Sequence, residues 1–216
     1  MKANLLFDLD GTLSDPYEGF AISIREAFAT LQRPTPTDLQ LRAMIGPPIE
    51  QGMAELLGTR DARVVNEAIA LYRQRYSRLG LFENTLYPGI GEALTELRSR
   101  GARLYLATSK PLVFASRILD HFGLTPLFSG QYGSGLDGSL SNKSDLLAHL
   151  LTIEGLAADD CRMVGDRRHD VTAAVNNGMT SLAVLWGYGS REELAAAGAT
   201  AFCEHPADLV EALSRN

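Results

Sequence analysis

A doubly wound parallel α/β sheet interrupted by a helical insertion is the fold class that this 216-residue sequence predicts. Three observations carry the prediction. A short apolar run, Leu5-Leu6-Phe7, opens the chain and ends in two aspartates. From residue 90 onward, strand-length apolar runs alternate with helical patterns, which calls for parallel strands with helices on both faces. Between these parts, from about 15 to 86, the pattern is helical, so it reads as a separate subdomain inserted after the first strand.

The elements follow in order. Phe20, Ile24, Phe28 and Leu31 fall on one helix face. Pro34 and Pro36 end that helix. A short helix is expected over 39–44, before the Gly46-Pro47-Pro48 break. Two more follow over 49–57 and 62–79; the second carries Val65, Ile69, Tyr72 and Tyr76 on one side and stops at Gly80. After Tyr87-Pro88-Gly89 the predicted order is helix 90–100, strand 103–107, helix from Pro111 to Gly123, and a weak strand at 127–128. Helix 143–154, strand 161–164, helix 170–177 and strand 181–185 come next. Ser190 and Glu193 suggest a capping box for a helix to 197, and strand 201–203 and helix 207–214 close the chain. The sum is a Rossmann-like core made of 1–15 and 87–216, with a helical domain at 16–86.

Composition narrows the function. A hydrophobic fraction of 45% supports a folded core. The net charge of −6 argues against a nucleic-acid polymer as partner, because that needs basic surface. No apolar run approaches the roughly 18 residues of a membrane span, and the opening run is too short for a signal-peptide core. Cys161 and Cys203 lie far apart and form no ligand pattern, so a reducing, cytoplasmic setting is expected. Chain composition leaves monomer and homodimer both open.

Chemistry concentrates at predicted strand ends, where open α/β sheets bind their ligands. Asp8-x-Asp10-Gly11-Thr12 ends the first strand. Two carboxylates there repel each other unless a cation compensates, and oxygen ligands suit Mg²⁺. Two acids in a surface turn are the simpler explanation, but D-x-D-G-T arises by chance at roughly one position in 10⁵. Thr108-Ser109-Lys110 follows the strand at 103–107 and offers hydroxyl and N–H groups to a phosphate, or else caps a helix. Lys143 opens a helix, where a cation opposes the helix dipole; an anion contact would account for it, as would simple solvation. Asp166 follows a buried strand and Asp170 falls in the next helix's first turn, where dipole stabilisation alone would favour it. His169 reads as a polar helix-start residue. Gly133-x-Gly135-x-x-Gly138 matches a dinucleotide fingerprint letter for letter but lacks the surrounding strand–turn–helix unit. Trp186-Gly187-Tyr188-Gly189 follows a strand and either lines the site mouth or packs as a glycine turn.

Taken together, FDLDGTLSD, LATSKP, SNKSDLL and VGDRRHD resemble the four motifs of the haloacid dehalogenase superfamily of phosphohydrolases, in that family's order. The resemblance covers nearly the whole chain. The insert is similar to the family's helical cap. Closer in, TSKP, VGDRRHD and VLWGYGS look like the phosphoglycolate phosphatase-like branch and its bacterial 5′-nucleotidase-type members. The resemblance implies Asp8 as nucleophile and Asp10 as general acid and base. It implies Thr108, Ser109 and Lys143 as phosphate-binding groups. Mg²⁺ would be held by Asp8, the Asp10 backbone carbonyl and Asp166, with Asp170 direct or through water. Asp10 favours phosphoesters over haloacids, since dehalogenases lack this residue; a mutase would share it.

The expectation is therefore a Mg²⁺-dependent phosphatase acting on a small phosphorylated metabolite, a nucleoside monophosphate or phosphoglycolate. Arg42, Gly46 in the Ile45–Pro48 turn, and Lys110 are the candidates for substrate selection. A phospho-accepting receiver or an idle binding module is the competing class. Receivers need no helical insert, and a receiver accumulates phosphoaspartate where a phosphatase turns over.

Overall fold

The computed structural model describes residues 3–214; residues 1–2 and 215–216 of the expected core lie outside the described residues. Six parallel strands form one sheet: β1 (Asn4–Phe7), β4 (Arg103–Pro111), β5 (Gly130–Ser134), β6 (Cys161–Gly165), β7 (Thr180–Val184) and β8 (Phe202–Cys203). Their spatial order is β5-β4-β1-β6-β7-β8. Two-residue strands β2 (Ser14–Asp15) and β3 (Thr85–Leu86) pair separately and antiparallel.

The strand sequences account for the layers. Successive side chains point to opposite faces, and strands buried on both faces are apolar throughout. Leu5, Phe7, Leu104, Leu106, Val164 and Leu182 therefore enter one cluster. There they meet Leu94 and Leu97 of α5 (Ile90–Ser99), Ile118 of α6 (Leu112–His121) and Leu209 of α10 (Leu209–Ser214). Leu6, Tyr105, Ala107 and Met163 enter the other, against Leu147 and Leu150 of α7 (Lys143–Glu154) and Ala173 and Ala174 of α8 (Arg168–Asn176).

Between β2 and β3 lie α1 (Tyr17–Thr30), α2 (Asp38–Ala43), α3 (Ile49–Leu57), α4 (Ala62–Arg75) and a π-helical turn over Tyr76–Gly80. An aromatic chain joins these helices to the sheet layer. Phe20 meets Tyr72 edge-on at 5.7 Å, Tyr72 stacks on Tyr76 at 4.9 Å, and Tyr76 meets Phe114 of α6 at 5.8 Å. Three arginines cross the same boundary to main-chain carbonyls: Arg167 to Ile45, Arg117 to Ser77 at 2.7 Å and Arg73 to Leu136 at 3.3 Å.

Several expectations shift. The weak strand expected at 127–128 is a 3₁₀ turn, Thr125–Leu127, and the strand lies three residues later. Its sequence, GQYGS, has no apolar run; its ladder with β4 supplies the order. Pro111 is not the first helical residue: its ψ of 128° is extended, and β4 runs through Thr108-Ser109-Lys110 to Pro111. The helix expected over 62–79 changes to π geometry at Tyr76. Ser190 does cap α9 (Arg191–Ala196), accepting the Glu193 N–H at 3.1 Å. The reciprocal half of that box is missing, because the Glu193 carboxylate is taken by Arg167 Nε and the Arg168 N–H, both at 3.0 Å. Among the described residues, no helix is long and apolar enough to cross a membrane.

Candidate active site

The order in which successive strands are added reverses at β1, between β4 and β6, which is where open α/β sheets place ligands. The register pairs Phe7 with Leu106 on one side and with Val164 on the other. The residues just beyond these pairs, Asp8, Thr108 and Asp166, therefore emerge together at one edge. The Asp8 N–H still bonds Val164 O at 2.9 Å, so the ladder fixes its backbone.

Asp8, Asp166 and Asp170 bring carboxylate oxygens within 4.8 Å of one another, all three buried. Lys143 is the first residue of α7, behind the Asn142 cap, and its ammonium lies 2.9 Å from both Asp8 Oδ1 and Asp170 Oδ1. That ion pairing offsets its position against the helix dipole. Burial pulls the Lys143 pKa down, but Asp170 and Asp8 outweigh it and hold the ammonium above the usual lysine value. Asp166 is reached by no ammonium in this cluster. Thr12 Oγ1 donates to its Oδ1 at 3.3 Å and the Tyr188 N–H to its Oδ2 at 2.7 Å. Burial, with Asp170 and Asp8 nearby, pushes its pKa well above the carboxylate range. Burial likewise lifts Asp170 to about 6, against the pull of Lys143.

Three carboxylates thus face one ammonium. The donor set is all oxygen and short of positive charge, which fits a divalent cation such as Mg²⁺. Glycines make this packing feasible. A Cβ on Gly187 would lie 2.4 Å from Asp166 Oδ2 and Gly11 O, and one on Gly11, at φ +84°, would lie 2.2 Å from the same carboxylate.

Asp10 turns the other way. Its Oδ2 accepts from Lys110 Nζ, and its buried Oδ1 has no hydrogen-bond partner. Burial raises its pKa, with Lys110 opposing. Lys110 Nζ also lies 5.3 Å over the Tyr76 ring. Asp8, Asp10, Thr108, Ser109, Lys110 and Gly46 line one cavity, whose far wall is Phe20, Met44, Ile45, Pro47, Tyr72 and Tyr76.

The expected residues fall into three groups. Asp8, Asp166, Asp170 and Lys143 converge; Asp10, Lys110, Thr108, Ser109 and Gly46 adjoin them. Arg42 does not: it is exposed and stacks on Tyr17 at 4.2 Å, outside the cavity lining. His169 does not line the cavity either, and burial with Arg168 and Arg167 lowers its pKa. The Trp186–Gly189 turn is a seal rather than a mouth. Trp186 Nε1 donates to Thr12 O at 3.0 Å, and the Tyr188 N–H holds Asp166. Sequence reasoning passed over Thr12 and the Tyr188 N–H as partners of Asp166, and Tyr76 as a wall of the cavity. The DGT and WGYG segments were the available signals for the first two.

The fold and this acidic cluster define a class before any particular relative is considered. The profile of the haloacid dehalogenase-like hydrolases matches residues 5–184, and the chain belongs to that family. Among individual proteins, it is 45% identical to a 5′-nucleotidase of Pseudomonas aeruginosa over 210 residues, 97% of this chain and 95% of the relative. A phosphoglycolate phosphatase of Vibrio cholerae is 30% identical over 88% of each chain. The tyrosine-protein kinase PtkA of Mycobacterium tuberculosis is 40% identical over 86% of this chain, which spans only 62% of that longer protein. The crystal structure of a predicted phosphatase from Clostridium acetobutylicum superposes with a TM-score of 0.93 at 36% identity, over 99% of this chain and 98% of the other. The chain is a phosphatase of this family.

Proposed function

We propose that this phosphatase hydrolyses nucleoside monophosphates, with Mg²⁺, through an aspartyl phosphate on Asp8. The observation that carries the mechanism is Asp8 itself: buried, held on Oδ1 by Lys143, beside Asp166 and Asp170, with Asp10 two residues on. The Asp8 carboxylate attacks phosphorus and the bond to the leaving oxygen breaks, while Asp10 gives that oxygen a proton. Water then attacks the aspartyl phosphate, Asp10 takes the water's proton, and the bond from Asp8 to phosphorus breaks. Burial, by raising the Asp10 pKa, favours the protonated form that the first step needs. Thr108, Ser109 and Lys143 hold the phosphoryl oxygens. Asp8, the Asp10 carbonyl, Asp166 and Asp170 would hold Mg²⁺, which supplies charge neutralisation at the transferring group.

Residues 16–86 act as a cap on a core of 1–15 and 87–216, moving about the Ser14–Asp15 and Thr85–Leu86 ribbon and excluding water when closed. The apolar and aromatic far wall supports a nucleoside as leaving group, in line with the most identical of the relatives above. Phosphoglycolate is the second reading; Lys110, the cation nearest Asp10, is the group its carboxylate would need. Phosphate release from nucleoside monophosphates and phosphoglycolate, with Mg²⁺ and with chelator, tests both. Continuous release that requires Mg²⁺ and prefers nucleotides is expected. A single stoichiometric phosphorylation would indicate a receiver, and preference for phosphoglycolate would reassign the substrate.

A further inference from the structure

Tyr76 is spent oddly for a core residue. Its ring is 1% exposed, stacked on Tyr72 and edge-on to Phe114, a setting that phenylalanine would fill equally well. Yet its hydroxyl is buried and, beyond a weak interaction with the Tyr72 side chain, has no hydrogen-bond partner. A buried, unpaired polar group costs about 1–3 kcal/mol, and each one in a native fold calls for an explanation.

Three features place this residue at the reaction cavity. Tyr76 lines the same cavity as Asp8, Asp10 and Thr108. It begins the π-helical turn, a distortion that often marks functional sites. Its ring lies under the ammonium of Lys110, which in turn pairs with Asp10. Asp10, in the role proposed above, serves the leaving oxygen. A helix-borne phenol next to Asp10 and Lys110 is therefore nearer the leaving-group side of the reaction than the metal-binding carboxylates. Burial and the charge of Asp10 keep the phenol protonated across the working pH range, so it is a neutral donor.

Resting on the phosphatase reading, we infer that the Tyr76 hydroxyl is a specificity-determining contact, donating a hydrogen bond to an oxygen of the leaving group. The favoured esters are those whose leaving group carries acceptors beyond the ester oxygen, as a nucleoside does. An unsubstituted aryl phosphate carries none.

The test is Tyr76→Phe, which keeps the ring and removes only the hydroxyl. The variant should melt at the wild-type temperature or above it. Its kcat/KM for a nucleoside monophosphate should fall about tenfold, the upper end of what one hydrogen bond supplies. The loss on phenyl phosphate should be at least about threefold smaller. A lower melting temperature would show that the hydroxyl has a structural partner and overturn the inference without reference to activity. Equal losses on both esters, or no loss on either, would overturn it too. The wild-type rate separately tests the phosphatase reading: a wild-type protein inert on both esters refutes that reading, whatever the variant does.

Discussion

The two sides of the site, the acidic cluster behind Asp8 and the cavity in front of it, are built on opposite principles. On the Asp166 side, Asp8 and Asp170 accept from Lys143, and Asp166 accepts from Thr12 and the Tyr188 N–H. Glycines let the backbone approach these carboxylates, and the supporting groups come from strand-end loops and the first turn of α7. On the Asp10 side, one carboxylate oxygen is buried without a partner and one phenol with only the Tyr72 side chain beside it, and much of the wall comes from the inserted helices. The first side is complete in itself and short only of positive charge. The second is incomplete until something else supplies hydrogen bonds. A fixed charge trap and an unfinished polar surface are what separate reactivity from selectivity in one site.

Breaking the first side should have the largest effect. Asp8→Asn should lower kcat by about four orders of magnitude or more with the fold intact, measured by phosphate release and circular dichroism. Asp10→Asn, on the other side, should cost about 10²–10⁴-fold, the usual value of acid–base catalysis. A smaller loss for Asp8→Asn than for Asp10→Asn would reverse the assigned roles.

The packing of the first side can be tested by Gly187→Ala, since its Cβ would meet Asp166 and Gly11 O at 2.4 Å. Overpacking of this kind costs about 1–3 kcal/mol, so a lower denaturation midpoint and weaker Mg²⁺ binding are expected. Wild-type stability with unchanged Mg²⁺ affinity would mean that the seal is looser than the glycines imply.

Charge shortage on the first side predicts a pH dependence. Burial leaves Asp170 with a pKa of about 6 in the folded protein, above its unfolded value, and raises Asp166 as well. Such groups take up protons on folding. Without metal, their contribution to stability is therefore largest at low pH and falls as pH rises through about 6. A divalent cation binds the ionised forms, so the rise in Tm on adding Mg²⁺ should be greater at pH 7.5 than at pH 5. An equal rise at both values would contradict the shifted carboxyls.

The smallest effect is expected from Arg42→Ala. Its guanidinium stacks on Tyr17 outside the cavity, so kcat/KM should change less than about twofold. A larger loss would restore it as a substrate contact.

Legibility in the sequence divides along the same line. The strands β1, β4 and β6 are apolar runs ending in polar groups, so the strands and the reactive residues at their ends are read from pattern, whereas the placing of β1 between β4 and β6 comes from the ladder itself. The strand β5 was misplaced because GQYGS has little strand character, and its partner strand imposes the conformation. The hydrogen bond from the Tyr188 N–H to Asp166 is a main-chain contact across 22 positions, which no side-chain pattern encodes. Tyr76 sat on an apolar helix face, where its ring belongs; only burial of the hydroxyl distinguishes it from a packing residue. Arg42 lies close in sequence to the Ile45–Pro48 turn, but its stacking on Tyr17 takes it outside the cavity lining.

The arginine contacts between the inserted helices and the sheet layer carry an evolutionary consequence. Arg167, Arg117 and Arg73 all donate to main-chain oxygens, those of Ile45, Ser77 and Leu136. Every residue type presents that oxygen, so the acceptor positions can drift without loosening the attachment. Ile45 is itself part of the cavity wall. Descendants of this chain can therefore retune which molecules they accept by substitutions at such positions, while the anchoring that aligns wall and charge trap is inherited unchanged.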